Sequence, residues 1–171
     1  MTEPQPLVPG TVGDHTSCLL VKLGQVMFRL AEEELPGLRV RHYSILQALA
    51  DNGPTPQLAL GAYLRIDPAT MVSSLDDLEN AGHAARVRDP GDRRRYLVEI
   101  TESGRTVLAG ANERLGELDD QAFAELSSTD RKSLHRILSK LASGATLPAA
   151  FDAIRDQPAS RKLPSSQRAS A

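Results

Sequence analysis

Two helix starts marked by proline, twelve residues apart, constrain the fold of this chain more than any other feature. Thr55-Pro56 and Asp67-Pro68 each place a side chain that can cap a helix before a proline, and proline is favoured at the first helical position. The first helix has room for only about two turns, and the second runs to Gly82. This spacing predicts a helix-turn-helix, with the second helix as the candidate reader of a DNA groove.

Beyond the second helix, the hydrophobic pattern changes from a helical period to an alternation. Ala85 and Val87 alternate with arginines, and Tyr96, Val98 and Ile100 alternate with charged residues after an Asp-Pro-Gly-Asp turn. Such a pattern predicts a β-hairpin with a charged tip.

Positive charge is concentrated in this hairpin. Residues 86–95 hold five arginines and two aspartates, a surplus of three positive charges in a chain whose formal net charge is -2. The overall balance excludes a histone-like protein that binds nucleic acid by bulk charge. Arginines on a hairpin suit phosphate and minor-groove contacts. A solvated surface hairpin would carry similar charges, but a position directly after a helix-turn-helix favours DNA binding.

Amphipathic helices flank these elements. Apolar residues recur at steps of three and four over residues 17–34, 40–51 and 128–142, and in a long helix that Thr101 caps. In the long helix, apolar residues form a narrow seam, which predicts pairing with another helix in a dimer. The members of this seam are Leu108, Ala111, Leu115, Leu118 and Ala122.

These patterns predict one domain with a tail at each end. The expected parts are a flexible N-terminal segment 1–13, a domain over 14–143 and a mostly disordered C-terminal tail 144–171. Inside the domain, the reading head is expected at about 54–101 and the dimerisation helices at about 14–35 and 101–143.

The stretch from Leu64 to Gly104 resembles the recognition helix and wing of the MarR family of winged helix-turn-helix regulators. The wing of that family carries Asp-x-Arg, followed by a strand that ends in Leu-Thr-x-x-Gly. The matching positions here are Asp92, Arg94, Ile100, Thr101 and Gly104. The order of helices from about 17 to 142 also fits the family.

The resemblance implies a mainly α fold with a small β-hairpin wing, a winged helix-turn-helix whose terminal helices form a dimerisation domain. It also implies a transcriptional repressor that binds a palindromic operator in double-stranded DNA as a homodimer and is released by a small aromatic or anionic effector. The DNA contacts are then expected at the helix starts and on the wing: Pro56, Gln57, Pro68, Ala69, Thr70, Ser73, Arg88, Asp92, Arg93, Arg94 and Arg95.

The predicted recognition helix departs from the family because residues 67–82 contain no Lys or Arg. Ser73 and Asp77 stand where family members often carry arginines. We therefore expect modest base specificity and a larger contribution from the wing. The acidic helix also keeps a second function open, a winged-helix protein-interaction module without specific DNA binding.

An effector site is expected in the crevice between the dimerisation helices and the reading head, where the family binds small molecules. Five residues of this sequence are candidates for it: His15, Lys22, Arg39, Arg41 and His42. The alternative is an interior histidine with ordinary surface cations.

Cys18 lies near the start of the first helix, where the peroxide-sensing branch of the family keeps a reactive cysteine. That branch pairs the thiol with tyrosines, and only Tyr43 stands at a matching place here, whereas Lys22 and Val40 occupy other expected tyrosine positions. This pattern favours a buried thiol that packs as a small hydrophobic group.

Other classes of protein find little support in the sequence. It contains no nucleophile elbow, dinucleotide fingerprint or P-loop, so we predict no enzyme, and Asp119-Asp120 reads as a surface pair. With one cysteine and four scattered histidines, neither an intrachain disulfide nor a metal site is expected, and no cofactor is predicted. Since no long apolar run or signal peptide is present, we expect a cytoplasmic protein that does not bind membranes.

Overall fold

The computed structural model describes residues 7–8, 10–35 and 37–155. A 3-10 helix, Gly10–Asp14, precedes seven α-helices and one two-stranded antiparallel sheet in this part of the chain. The elements are α1 (Thr16–Glu34), α2 (Val40–Asn52), α3 (Gln57–Leu64), α4 (Pro68–Asn80), β1 (Ala84–Arg88), β2 (Tyr96–Ile100), α5 (Glu102–Ala122), α6 (Ser128–Ala142) and α7 (Thr146–Arg155). The predicted fold class, mainly helical with a hairpin wing, is confirmed.

The chain divides into two units, the first ending at Ala124 and the second beginning at Glu125. The first unit contains α1 to α5 and the hairpin, and the second contains α6 and α7. Among the described residues, no helix is both long and apolar enough to span a membrane.

The helix-turn-helix of α3 and α4 forms with one of the two predicted caps. The Asp67 carboxylate accepts the Thr70 N–H at 2.9 Å, and Pro68 is the first residue of α4, as expected. The prediction that Thr55 caps α3 is wrong, because Pro56 is the N-cap residue. Thr55 instead exchanges two backbone hydrogen bonds of 2.9 Å with Val98, which extends the sheet beyond β1 and β2.

The hairpin has the predicted position but not the predicted phase in β1. Ala84 pairs with Ile100, and Arg86 pairs with Val98, so these four residues share a face. Three of them are buried, and Arg86 is partly buried. The alternation that places Ala85 on the apolar side is therefore wrong. The phase of β1 differs from the prediction because the Ala84 side chain is buried in the core and the Arg86 side chain pairs with acidic residues beside the core.

The core of the first unit lies between α2, α3, α4 and β2. Its most deeply buried large side chains, each under 2% exposed, are Ile45, Leu46, Leu49, Leu60, Met71, Leu75, Leu78 and Val98. The long helix α5 packs against α1 and α2. Within one chain, Leu108, Ala111 and Leu118 are 6, 6 and 7% exposed. The prediction that the seam awaits a partner chain is therefore wrong for these three residues, which are buried within one chain, whereas Leu115 is partly buried and Ala122 is exposed.

A close contact fixes the junction between the reading head and α5. The Thr101 hydroxyl donates to the Gly82 carbonyl at 2.7 Å and accepts the Gly104 N–H at 3.0 Å. A Cβ on Gly104 would lie 2.0 Å from the His83 carbonyl oxygen. The Thr-x-x-Gly signature is therefore a packing requirement, since only glycine allows α5 to begin so near the end of α4.

The second unit and the N-terminal segment contain more helix than the sequence indicated. Part of the segment expected to be flexible forms the 3-10 helix Gly10–Asp14. The helix α7 spans Thr146–Arg155, inside the tail expected to be mostly disordered. The remaining tail, 156–171, lies outside the described residues.

Candidate nucleic-acid interface

The wing tip, residues 88–95, is ordered by contacts among its own residues. The Arg88 guanidinium lies 5.3 Å from the centroid of the Tyr96 ring and donates to the Arg93 carbonyl at 2.8 Å. The Asp89 carboxylate accepts the Gly91 N–H at 2.8 Å and closes the turn. Arg88 and Arg93 also border an open cavity of about 470 Å³ with Asp89 and Pro90.

Asp92 anchors the second half of the wing tip. Its Oδ1 accepts the backbone N–H of Arg94 at 3.1 Å, and its Oδ2 lies 3.4 Å from Nε of Arg95. The Asp92 carbonyl also accepts the Arg95 N–H at 2.8 Å. Asp92 therefore holds the main chain at Arg94 and the side chain of Arg95, while the exposed side chains of Arg93 and Arg94 extend from a fixed turn.

The predicted contact residues of α4 lie near its N-terminus, mostly on the exposed side. Pro68, Ala69 and Ser73 are exposed and Thr70 is half-buried. The Ser73 hydroxyl donates to the Thr70 carbonyl at 3.0 Å. Val72 also lies on this side and is 42% exposed. Sequence reasoning missed Val72, although its position one turn after Ala69 was visible.

Each acidic side chain of α4 has a partner in the chain. Arg86 of β1 donates to the Asp76 carboxylate at 3.0 Å and forms a second ion pair with the Glu79 carboxylate. Its backbone N–H donates to Glu79 at 2.9 Å. Asp77 lies 3.5 Å from Nε2 of His42. The Arg86 guanidinium therefore compensates the negative charge of Asp76 and Glu79, whereas Asp77 is exposed and has only the imidazole of His42 near it.

Arg86 also connects the wing to α3, because its guanidinium donates to the Gln57 amide oxygen at 3.5 Å. Gln57 was predicted as a DNA contact and is half-buried here, while the neighbouring Pro56 is exposed. Sequence reasoning counted Arg86 only as wing charge. The acidic pair Asp76 and Glu79, one turn apart on the preceding helix, was the signal for its structural role.

His42 is an interior histidine, 6% exposed, between α2 and α4. Its Nδ1 accepts the backbone N–H of Arg39 at 3.5 Å, and its buried Nε2 lies 3.5 Å from the Asp77 carboxylate without forming a hydrogen bond. Burial lowers the pKa of His42, and the neighbouring Arg41 adds to this effect, while Asp77 opposes it. The imidazole is therefore harder to protonate than that of an exposed histidine.

The other predicted effector residues lie in different surroundings. Lys22 lines an open cavity of about 350 Å³ at the N-terminal end of α1, and none of the other four candidates lines that cavity. His15 precedes α1 and is exposed. At the start of α2, Arg39 is exposed and Arg41 is half-buried. The structure thus groups Arg39, Arg41 and His42 and separates Lys22 from them.

Cys18 and Tyr43 contact different parts of the structure. Cys18 is half-buried and lines the cavity at α1, so the expectation of a buried thiol is wrong. Tyr43 donates its hydroxyl to the Asn112 side chain at 2.8 Å, and burial raises its pKa. The Tyr43 hydroxyl is therefore hydrogen-bonded to a residue of α5.

The geometry defines a winged helix-turn-helix, and similarity to known proteins agrees with it. The MarR family model matches residues 37–95. The transcriptional regulator HosA of Escherichia coli O111:H- is 30% identical over 110 residues, which cover 64% of this chain and 82% of HosA. The chain belongs to the MarR family of transcriptional regulators.

Two solved structures with a similar fold contain DNA in one case and a small-molecule ligand in the other. The repressor CouR bound to a 23-mer DNA duplex is 26% identical, with a TM-score of 0.72 over 81% of this chain and 99% of that one. CouR from Rhodococcus jostii RHA1 bound to p-coumaroyl-CoA is 28% identical, with a TM-score of 0.67 over 80% and 98% of the two chains.

Proposed function

We propose that this regulator is a repressor that binds a palindromic operator as a homodimer and leaves it when a small aromatic or anionic effector binds. The observation that carries the proposal is the wing tip, where Asp92 fixes a turn that extends Arg93 and Arg94. Ordered arginines beside a helix-turn-helix suit the phosphates and minor groove next to a major-groove contact. The DNA complex of CouR supports the same use of this fold.

The proposed DNA surface consists of the exposed wing arginines and the N-terminal part of α4, with Pro56 and Gln57 at the start of α3. The phosphates would contact the exposed wing arginines, because α4 itself contains no Lys or Arg. These arginines are Arg88, Arg93, Arg94 and Arg95. Asp92 contributes by holding the turn rather than by contact.

The proposed homodimer rests on apolar surface outside the core. On α1, Val21, Leu23 and Phe28 are 61, 51 and 55% exposed. On α6, Ile137 and Leu141 are 48 and 42% exposed. Apolar helix faces of this kind are typical of surfaces that another chain covers. Sedimentation at micromolar concentration should show a dimer, and a stable, folded monomer would contradict it.

The proposed effector chemistry rests on cations near half-buried surfaces. Arg39 and Arg41 next to His42, or Lys22 at its cavity, would attract an acidic or aromatic molecule. The complex of CouR with p-coumaroyl-CoA supports binding of a small molecule by this fold. An aromatic carboxylate that releases the protein from duplex DNA would agree with this, and it should act less well on Arg41→Gln.

The experiment that tests DNA binding is selection of duplexes from a random pool by the full chain. We expect enrichment of a two-fold symmetric site, protected from cleavage over both halves. A protein-interaction module without DNA specificity would enrich nothing. That alternative relied on an acidic recognition helix, and the pairing of Asp76 and Glu79 with Arg86 inside the chain favours the DNA-binding proposal over it.

A further inference from the structure

We infer that α4 reads its operator through the methyl groups of thymine, which the apolar side chains of Ala69 and Val72 contact in the major groove. The inference rests on the proposed function, because it names what the helix recognises in the DNA. It follows from the contacts of the polar side chains near the start of this helix and from the side chains that are left exposed there.

The carboxylates of α4 are engaged within the protein. Asp67 accepts hydrogen bonds from Thr70, and these bonds lower its pKa. Asp76 and Glu79 are held by the guanidinium of Arg86. Reading a cytosine amino group with these carboxylates is disfavoured, because their charge is already partly satisfied within the protein and would add repulsion next to DNA.

Donors for guanine are also missing from the helix. Residues 67–82 contain no Lys or Arg, the side chains that make bidentate contacts with guanine. The Ser73 hydroxyl donates its proton to the Thr70 carbonyl at 3.0 Å, which leaves only its acceptor capacity outward. Hydrogen-bonded readout of guanine by α4 is therefore disfavoured.

Two apolar side chains remain on the exposed face. Ala69 and Val72 are three residues apart, so they lie on the same side of the helix. The opposite side carries Met71, Leu75 and Leu78, which are at most 1% exposed and fix the rotation of the helix. Only the thymine methyl presents an apolar group on the major-groove edge of the base pairs, so it matches this face.

The size of the effect follows from the area that one methyl group buries. Removing a buried methyl from such a contact weakens binding by about fourfold. Deoxyuridine differs from thymidine only by that methyl, so replacing single thymines in a bound duplex isolates the contact without changing base pairing.

The experiment uses duplexes selected from a random pool by the full chain. Each thymine of the best duplex is replaced in turn by deoxyuridine, and binding is measured by fluorescence anisotropy. The parent protein should lose about fourfold at one or more thymines in each half-site. Val72→Ala should bind the unmodified duplex more weakly and lose less than about twofold on the same replacement.

Val12→Ala is the matched control, since Val12 is 46% exposed and lies outside the reading head. It should respond to deoxyuridine as the parent does. Thermal unfolding should be nearly the same for the parent and both variants, because both valines are exposed.

Two outcomes overturn the inference in distinguishable ways. If the parent binds the selected duplex and tolerates every deoxyuridine, or if Val72→Ala keeps the full loss, α4 does not read thymine methyls while the DNA-binding proposal stands. If no duplex is enriched and binding shows no salt dependence, the proposed function is wrong and the inference falls with it.

Discussion

The wing tip and the recognition helix lie next to each other in the reading head but carry charge in opposite ways. Residues 88–95 extend exposed arginines from a turn that Asp92 holds. In α4, Arg86 pairs with Asp76 and Glu79, and the exposed side chains near the start of the helix are apolar or carry a small hydroxyl. Attraction to DNA and recognition of bases can therefore depend on separate structural elements.

Arg86 is the residue that keeps the two regions distinct. Although it belongs to the arginine-rich hairpin, its side chain is 30% exposed and points to Asp76 and Glu79 of α4. It removes negative charge from the helix and holds the first strand of the wing against it.

Gly104→Ala should damage both regions together, because the new Cβ would lie 2.0 Å from the His83 carbonyl oxygen and force α5 away from the reading head. We expect a loss of about 3 kcal/mol in the free energy of unfolding, measured by urea denaturation. Gly110→Ala, on the same helix with open space around its Cβ position, should instead raise stability by up to about 1 kcal/mol. Equal effects of the two variants would contradict the junction described here.

Arg86→Gln should place unfavourable negative charge next to DNA, because it leaves the carboxylates of Asp76 and Glu79 without their compensating arginine. Binding to a selected duplex should weaken by about tenfold, or 1.4 kcal/mol. Glu79→Gln added to Arg86→Gln should recover part of that loss. If Arg86 were simply a phosphate contact, the second substitution would give no such rescue.

Asp92→Ala distinguishes an anchoring role of Asp92 from a simple count of charges, which predicts tighter binding to DNA. We expect binding about threefold weaker, since the turn at Arg94 and the side chain of Arg95 lose their anchor and must be ordered on the DNA. Asp119→Ala on α5 removes the same charge from an exposed helix position and should leave binding nearly unchanged. Tighter binding by Asp92→Ala in fluorescence anisotropy would reject the anchoring role.

His42 should give a small pH dependence of stability through its contact with α4. Its pKa in the folded chain is below the ordinary value of 6.5, so the unfolded chain binds the proton first as the pH falls. The free energy of unfolding should therefore decrease on acidification below about pH 6.5. His42→Gln should show a smaller decrease over the same range in thermal unfolding, and an equal decrease would show that another group is responsible.

The reading head was largely predictable because its signals are local. The Asp67 cap with Pro68 depends on neighbours in sequence, as does the turn between β1 and β2. The Thr101 and Gly104 signature was found from the resemblance, and the structure supplies its physical cause in the approach to His83.

Features that depend on distant residues were predicted less well. The residues next to Thr55 in the sequence predict a helix cap, but Thr55 pairs with the distant Val98 and joins the sheet. The apolar seam on α5 repeats as in a dimer helix, and only the packing of α1 and α2 against α5 shows that Leu108, Ala111 and Leu118 are already buried. Val72 was missed because nothing local indicates that the polar groups beside it are engaged elsewhere.

The central claim, that the wing supplies the attraction to DNA, is tested most directly by the salt dependence of binding for Arg94→Ala. Fluorescence anisotropy on one selected duplex should show a loss of about 1 to 3 kcal/mol and a slope of log affinity against log salt that is shallower by about one unit. Arg114→Ala, which removes an exposed arginine from the middle of α5, should leave both quantities at the parent values. An Arg94→Ala protein with unchanged affinity and unchanged slope would contradict the account.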